Sequence, residues 1–234
     1  HEKLDSDFEA IQNLNEIIEI QPENESVVAY LESLFEANIE TSAIGDILEP
    51  LYRKNNQWEK LIHALEIRAT NADDEFTQVQ VLNDIAKTWE ENLEKPAEAL
   101  NTYGRIFKIQ PADTDTQNQI ARLASKTLAI DTWADLYASV LEEDKLDDYS
   151  DKRVVMLTLA HLYAERLGKS EKAEELCNKM LEEEPEELDA YDVLEWIYAR
   201  DSNFEKLLDL WTRKNEIVQD TDEKLALCLR MAPI

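Results

Sequence analysis

The feature that most constrains this chain is an internal repeat. Residues 85–111 read IAKTWEENLEKPAEALNTYGRIFKIQP, and residues 159–185 read LAHLYAERLGKSEKAEELCNKMLEEEP. The two match without a gap at an offset of about 74 residues, pairing Ile85 with Leu159, Ala86 with Ala160, Trp89 with Tyr163, Ala99 with Ala173, Ile106 with Met180 and Pro111 with Pro185. Units of this kind cannot bury an apolar face alone, so they stack on their neighbours in an array.

Inside the repeat the apolar spacing is helical. Ala99, Tyr103, Ile106 and Phe107 fall at i, i+4, i+7 and i+8, which places them on one helix face. A second hairpin type alternates with the first. Its last helix reads WEKLIHALEIR from Trp58, WADLYASVLEE from Trp133 and FEKLLDLWTRK from Phe204. Each block of about 74 residues therefore holds two hairpins, and about thirteen helices are expected in all.

Local signals support helices. Ser6-x-x-Glu9 and Ser202-x-x-Glu205 read as capping boxes that start them. Pro96 suits a first helical turn, and Pro111 and Pro185 punctuate helix ends. Pro50 lies inside a helical stretch and predicts a kink or a split. Residues 8–22 align with 97–111, so the N-terminal part reads as the second helix of a hairpin, with an extra helical segment between Pro22 and Trp58. Residues 224–232 align with 152–160. The expectation is one repeat domain over 1–234, in blocks near 1–74, 75–148, 149–220 and 221–234, cut from a longer array. Its raw edges would expose Leu225, Leu229 and Met231 and favour end-to-end association.

Ala86, Trp89, Ala99, Tyr103 and Pro111, repeated as Ala160, Tyr163, Ala173, Cys177 and Pro185, resemble the tetratricopeptide repeat. Leu48-Glu49-Pro50-x-Tyr52, Trp58-x-Lys60-Leu61 and residues 165–173, ERLGKSEKA, are similar to the units of long bacterial scaffold proteins of that type. The resemblance implies an all-α, right-handed superhelical solenoid of stacked antiparallel helix hairpins. It also implies a non-catalytic scaffold that binds a protein or peptide; the alternative is a structural spacer within a larger protein. In the family's register the groove-facing positions of the first helices are Asn83, Lys87 and Glu90, then Leu157, His161 and Ala164, with Asn118 and Arg122 between. Some family members clamp a peptide carboxylate there with Lys, Asn and Arg. Asn83, Lys87, Asn118 and Arg122 are the right types, and His161 stands where the first copy has Lys87.

Composition narrows function further. Three glycines, at 45, 104 and 168, form no phosphate-binding loop. A net charge of −28 opposes contact with nucleic acid or anionic membranes and points to a basic partner or to solvated helix faces. His63 and His161 lie far apart without a second local ligand, and no metal or cofactor is expected. Cys177 takes the place of Tyr103, which makes it a core thiol; neither it nor Cys228 has the setting of a nucleophile. Glu182 to Glu184, with Glu186 and Glu187, read as a solvated turn around Pro185, and the five tryptophans mostly as packing residues. No apolar run is long enough to cross a membrane. The expected location is cytoplasmic, with the periplasm left open because the sequence starts at His1.

Overall fold

The computed structural model describes residues 2–22 and 24–231, with side chains for 10–22, 24–222 and 224–231. Among these residues the chain forms thirteen α-helices and no strand: α1 (Glu2–Ile20), α2 (Glu25–Glu36), α3 (Thr41–Lys54), α4 (Trp58–Thr70), α5 (Glu75–Lys87), α6 (Pro96–Ile109), α7 (Thr114–Thr127), α8 (Ile130–Glu142), α9 (Tyr149–His161), α10 (Ser170–Glu183), α11 (Leu188–Arg200), α12 (Phe204–Ile217) and α13 (Thr221–Met231). Two five-residue π-helical turns, Thr88–Asn92 and Leu162–Arg166, extend α5 and α9.

The helices fall into two compact units, one ending at Thr127 and one starting at Leu128. In the first, α1 to α7 each pack on the next helix in the chain. In the second, α8 to α13 do the same. Within each unit the short polar turns make consecutive helices run antiparallel.

Side chains at the turns satisfy the unpaired N–H groups that every helix start leaves. Asp74 accepts from Thr77 N at 2.7 Å, Asp113 from Thr116 N at 3.0 Å and Asp148 from Ser150 N at 2.7 Å. Asn24 accepts from Val27 N at 3.3 Å. Pro96 occupies the first turn of α6 as expected. Neither capping-box serine starts a helix. Ser6 lies inside α1, and Ser202 adopts a left-handed φ of 54° while Asn203 caps α12 through Lys206 N at 3.2 Å. Pro50 does not split its helix either: α3 runs through it. A proline in a helix costs about 3 kcal/mol. Burial of Ile44, Leu48, Leu51 and Tyr52 along α3 outweighs that, at about 1.5–3 kcal/mol for each large side chain.

The repeat is more regular than the sequence suggests. Blocks start with α1, α5, α9 and α13, at Glu2, Glu75, Tyr149 and Thr221. Among the described residues there is no extra helix. α1 is the first helix of its block: it touches α3 as α9 touches α11. α2 is the second, with buried Leu31 and Phe35 where α6 has Ala99 and Tyr103 and α10 has Ala173 and Cys177. The match of residues 8–22 to 97–111 therefore pairs a first helix with a second one. Both end in an amphipathic turn followed by Gln-Pro, a pattern common to helix ends in general. A second register also moves. Left-handed residues Asn56, Leu128 and Ser202 stand two positions before the first residues of α4, α8 and α12. Trp58 thus matches Ile130 and Phe204, and Trp133 matches Leu61 and Leu207, one turn away from the alignment of the two tryptophans.

Small residues set the helix spacing. Ala86, Ala99, Ala160 and Ala173 are fully buried at the helix contacts, beside Ile106, Phe107, Cys177 and Met180. Burial pushes the Cys177 thiol up to about 12, helped by nearby Glu174, so this cysteine packs as an apolar group. Trp58, Trp89 and Trp133 are half-buried and Trp211 is buried. Trp196 departs from the packing role: it is 40% exposed, with the Arg200 guanidinium 4.7 Å above its ring.

Candidate functional site: a charged groove on the first helices

The groove begins in the chain's local geometry after α5. Leu93 N donates to Thr88 O at 3.2 Å and Lys95 N to Trp89 O at 2.8 Å, and Glu94 takes a left-handed φ of 54°. The same turn closes α9: Leu167 N donates to Leu162 O at 3.0 Å, Lys169 N to Tyr163 O at 2.7 Å, and Gly168 has φ 63°. In the first unit this widened turn carries Glu90 and Glu91 alongside α7. Arg122 of α7 meets Glu90 with two bonds of 2.6 Å each, and its Nη2 and Nε also donate to Gln119. Lys126 Nζ lies 3.6 Å from Glu90.

The electrostatics follow from that pairing. Hydrogen bonds from Arg122 hold the Glu90 carboxyl below the usual carboxylate range, against the opposing effect of burial. The Arg122 guanidinium is held protonated in turn. Burial, and the Glu90 charge after it, raise the Tyr103 phenol. Together Lys87, Glu90, Glu91, Glu94, Pro96, Tyr103, Gln119, Arg122 and Lys126 line a groove of about 750 Å³.

Of the sequence-derived positions, the structure brings Lys87 and Arg122 together on this groove, with Glu90 between them in the chain. Asn83 is half-buried and its Nδ2 donates to Val79 O of its own helix at 3.0 Å. Asn118 is exposed on α7, one turn before Arg122. His161 belongs to the second unit, where its exposed ring lies 2.9 Å from Glu165. Ala164 is not a groove residue: it is buried, and its carbonyl accepts from Arg200 Nη1 at 2.9 Å. Gln119 and Lys126 were invisible as site residues, because only folding sets α7 beside the π-turn.

Most arginines serve helix–helix seams. Arg105 forks onto Glu66 at 2.6 and 2.8 Å, Arg53 reaches Asp84 at 3.3 Å and Arg230 reaches Glu195 at 2.7 Å. Arg153 binds Glu187 and, at 2.5 Å, Asp189. Glu187 is therefore no solvated turn residue. It is buried, and the hydrogen bond from Arg153 lowers its pKa below the ordinary value. Forked Arg–carboxylate pairs fix direction as well as charge, which suits a seam between helices.

A polar cluster recurs in both units. In the first, Tyr52 Oη and Lys60 Nζ both donate to Glu32 at 2.7 Å. In the second, Tyr198 Oη donates to Glu174 at 3.0 Å and Lys206 Nζ at 2.5 Å. Burial first, and then the bonded carboxylate, raise both phenols far above their usual value. Burial would raise Glu32, but the bonds from Lys60 and Tyr52 leave it lowered. Among the described residues, no group of three His, Cys, Asp or Glu side chains is placed to hold a metal. No helix among them is long and apolar enough to cross a membrane.

No family model and no curated protein matches the chain. Solved structures do show likeness. MamA is 16% identical, with 75% of this chain and 94% of that chain covered and a TM-score of 0.42. A tetratricopeptide repeat protein from Parabacteroides merdae is 14% identical over 96% of this chain and 83% of its own, at a TM-score of 0.38. YrrB, described as a TPR protein with an unusual peptide-binding site, is 17% identical over 78% and 89%, at 0.34. The chain is thus similar to tetratricopeptide-type repeat proteins. These superpositions are loose, and the fold rests on the helices described above.

Proposed function

We propose that the chain acts without catalysis, as one repeat domain that binds a protein or peptide on its helix surface. The observation that carries this reading is the groove of about 750 Å³ on α5, its π-turn and α7. Its cations and carboxylates alternate: Lys87, Arg122 and Lys126 against Glu90, Glu91 and Glu94. Such a lining suits the backbone and polar side chains of an extended peptide better than a small apolar ligand. Asn83 and Asn118 flank it on the same helices, and His161 offers a polar group at the matching level of α9. Many of the basic side chains are spent on internal ion pairs, and the surplus of carboxylates faces outward. That surplus favours a basic partner.

The test is a cross-linking pull-down at low and at high salt, with the intact chain and a Lys87→Ala/Arg122→Ala variant. Specific partners should be captured at low salt and lost with the variant. Recovery of chaperones alone would sink the reading. Even block starts at Glu2, Glu75, Tyr149 and Thr221 favour a second reading, a spacer. Deletion of residues 75–148 separates the two, since a spacer keeps its role when shortened and a binder loses its groove. Leu225 and Leu229 are 58% and 66% exposed on α13 and support end-to-end association. X-ray scattering that stays monomeric at rising concentration would count against it.

A further inference from the structure

The first unit holds a second cleft, on the face opposite in kind to the one above. It is built from the second helices of two hairpins, α2 and α4, over the side of α3. Phe35, Leu48, Tyr52 and Ala64 close its floor, and its volume is about 430 Å³. Glu32 and Glu36 form one wall. Glu59, Lys60 and His63 form the other.

Two observations single this cleft out. The first is a comparison within the chain. The second unit repeats the Tyr–Glu–Lys cluster that backs the cleft, yet it has Leu210 in place of Ala64, Cys177 in place of Phe35, Asn178 in place of Glu36 and Asp209 in place of His63. The floor is thus built differently in the two units, from an aromatic ring and an alanine in the first and from a thiol and a leucine in the second. The second is charge. Glu32 is satisfied by Tyr52 and Lys60, and Glu36 faces His63 Nε2 at 2.5 Å through one oxygen. Glu59 carries no partner among the described residues. Three carboxylates thus stand against one ammonium and one imidazole, so the cleft is electronegative over an apolar floor.

We propose that this cleft takes a single arginine side chain from a basic partner protein. The aliphatic stem covers the floor of Phe35, Leu48 and Ala64. The guanidinium is met by the free carboxylate of Glu59 and the second oxygen of Glu36. Arginine fits better than lysine, because its planar fork serves two carboxylates at once and sheds its water more readily. The proposal rests on the protein-binding reading and names a partner chemistry and a place for it.

The experiment is an amide NMR titration of the full, isotope-labelled chain with a nine-residue peptide centred on Leu-Arg-Leu. Its twin carries citrulline, uncharged and nearly isosteric, in place of arginine. The arginine peptide should shift amides at residues 32–36 and 59–64, and should bind at least about fivefold more tightly than the twin, with the preference fading as salt rises. Ala64→Leu fills the floor of the cleft, and far-UV circular dichroism checks that the variant folds. It should abolish the shifts. Glu36→Gln/Glu59→Gln should weaken binding about fivefold. Equal binding of the two peptides, undiminished binding by Ala64→Leu, or no shifts at these amides would overturn the proposal. If the pull-down still captures a partner under any of those outcomes, the scaffold reading stands and only this cleft falls. If the pull-down also returns nothing, both fall.

Discussion

The two left-handed turns at Glu94 and Gly168 allow a reciprocal test of the repeat. They close the same motif with the same pair of backbone bonds, at φ 54° and 63°. One uses a residue with a Cβ and the other does not. A left-handed conformation costs an L-residue about 1–2 kcal/mol through the clash of Cβ with the backbone. Glycine escapes that but loses about 0.5–1 kcal/mol more chain entropy on folding. The net gain for Glu94→Gly is therefore about 0.5–1 kcal/mol, and Gly168→Glu should lose a similar amount. Sterics do not cloud the second change, because a Cβ at Gly168 meets nothing within 4 Å. Glu94 lines the charged groove, so the measurement should be repeated at high salt to screen its interaction with nearby cations. The assay is urea unfolding followed by circular dichroism, reading the midpoint at constant slope. Thermal midpoints should move by about 2–4 °C per kcal/mol, in opposite directions. A Glu94→Gly variant that is less stable than the parent would refute the argument, as would a neutral Gly168→Glu.

Three further outcomes are expected. A thiol reagent should label exposed Cys228 at once and Cys177 only on unfolding, because Cys177 is fully buried and its thiol is pushed up to about 12; fast labelling of both would contradict the core placement. Phe107→Ala should cost about 3–5 kcal/mol, since the ring is fully buried, and a loss below about 1 kcal/mol in urea unfolding would show that α6 is not packed as described. Glu90 and Glu187 are more acidic folded than unfolded, so they stabilise the fold above the unfolded carboxylate pKa of about 4 and lose that contribution as pH falls through their folded values. The urea midpoint should therefore drop on acidification from neutral pH, and Glu187→Gln should flatten the drop; an unchanged pH profile in that variant would rule out the Arg153 pairing as the cause.

What the sequence by itself determined is the all-helical repeat. Offset identity at Ala86, Ala99, Ala160 and Ala173 marked the close helix contacts, and Pro96, Pro111 and Pro185 marked the turns. These signals are local or strictly periodic, so they need no knowledge of neighbours in space. Tertiary structure decided the rest. Block register at α1 depended on which helix packs on α3, and end-of-helix patterns such as Ile-Gln-Pro do not carry that information. Pro50 stayed in a helix because burial along α3 outweighs its local penalty. The Glu32–Tyr52–Lys60 and Glu174–Tyr198–Lys206 clusters draw from three helices each, and their spacing in the chain differs between the two copies. The groove pairs Glu90 with Arg122 across 32 residues, and the second cleft draws its lining from α2, α3 and α4. Helix periodicity is written along the chain, whereas a site is written by which faces meet, and that is settled only when the helices pack.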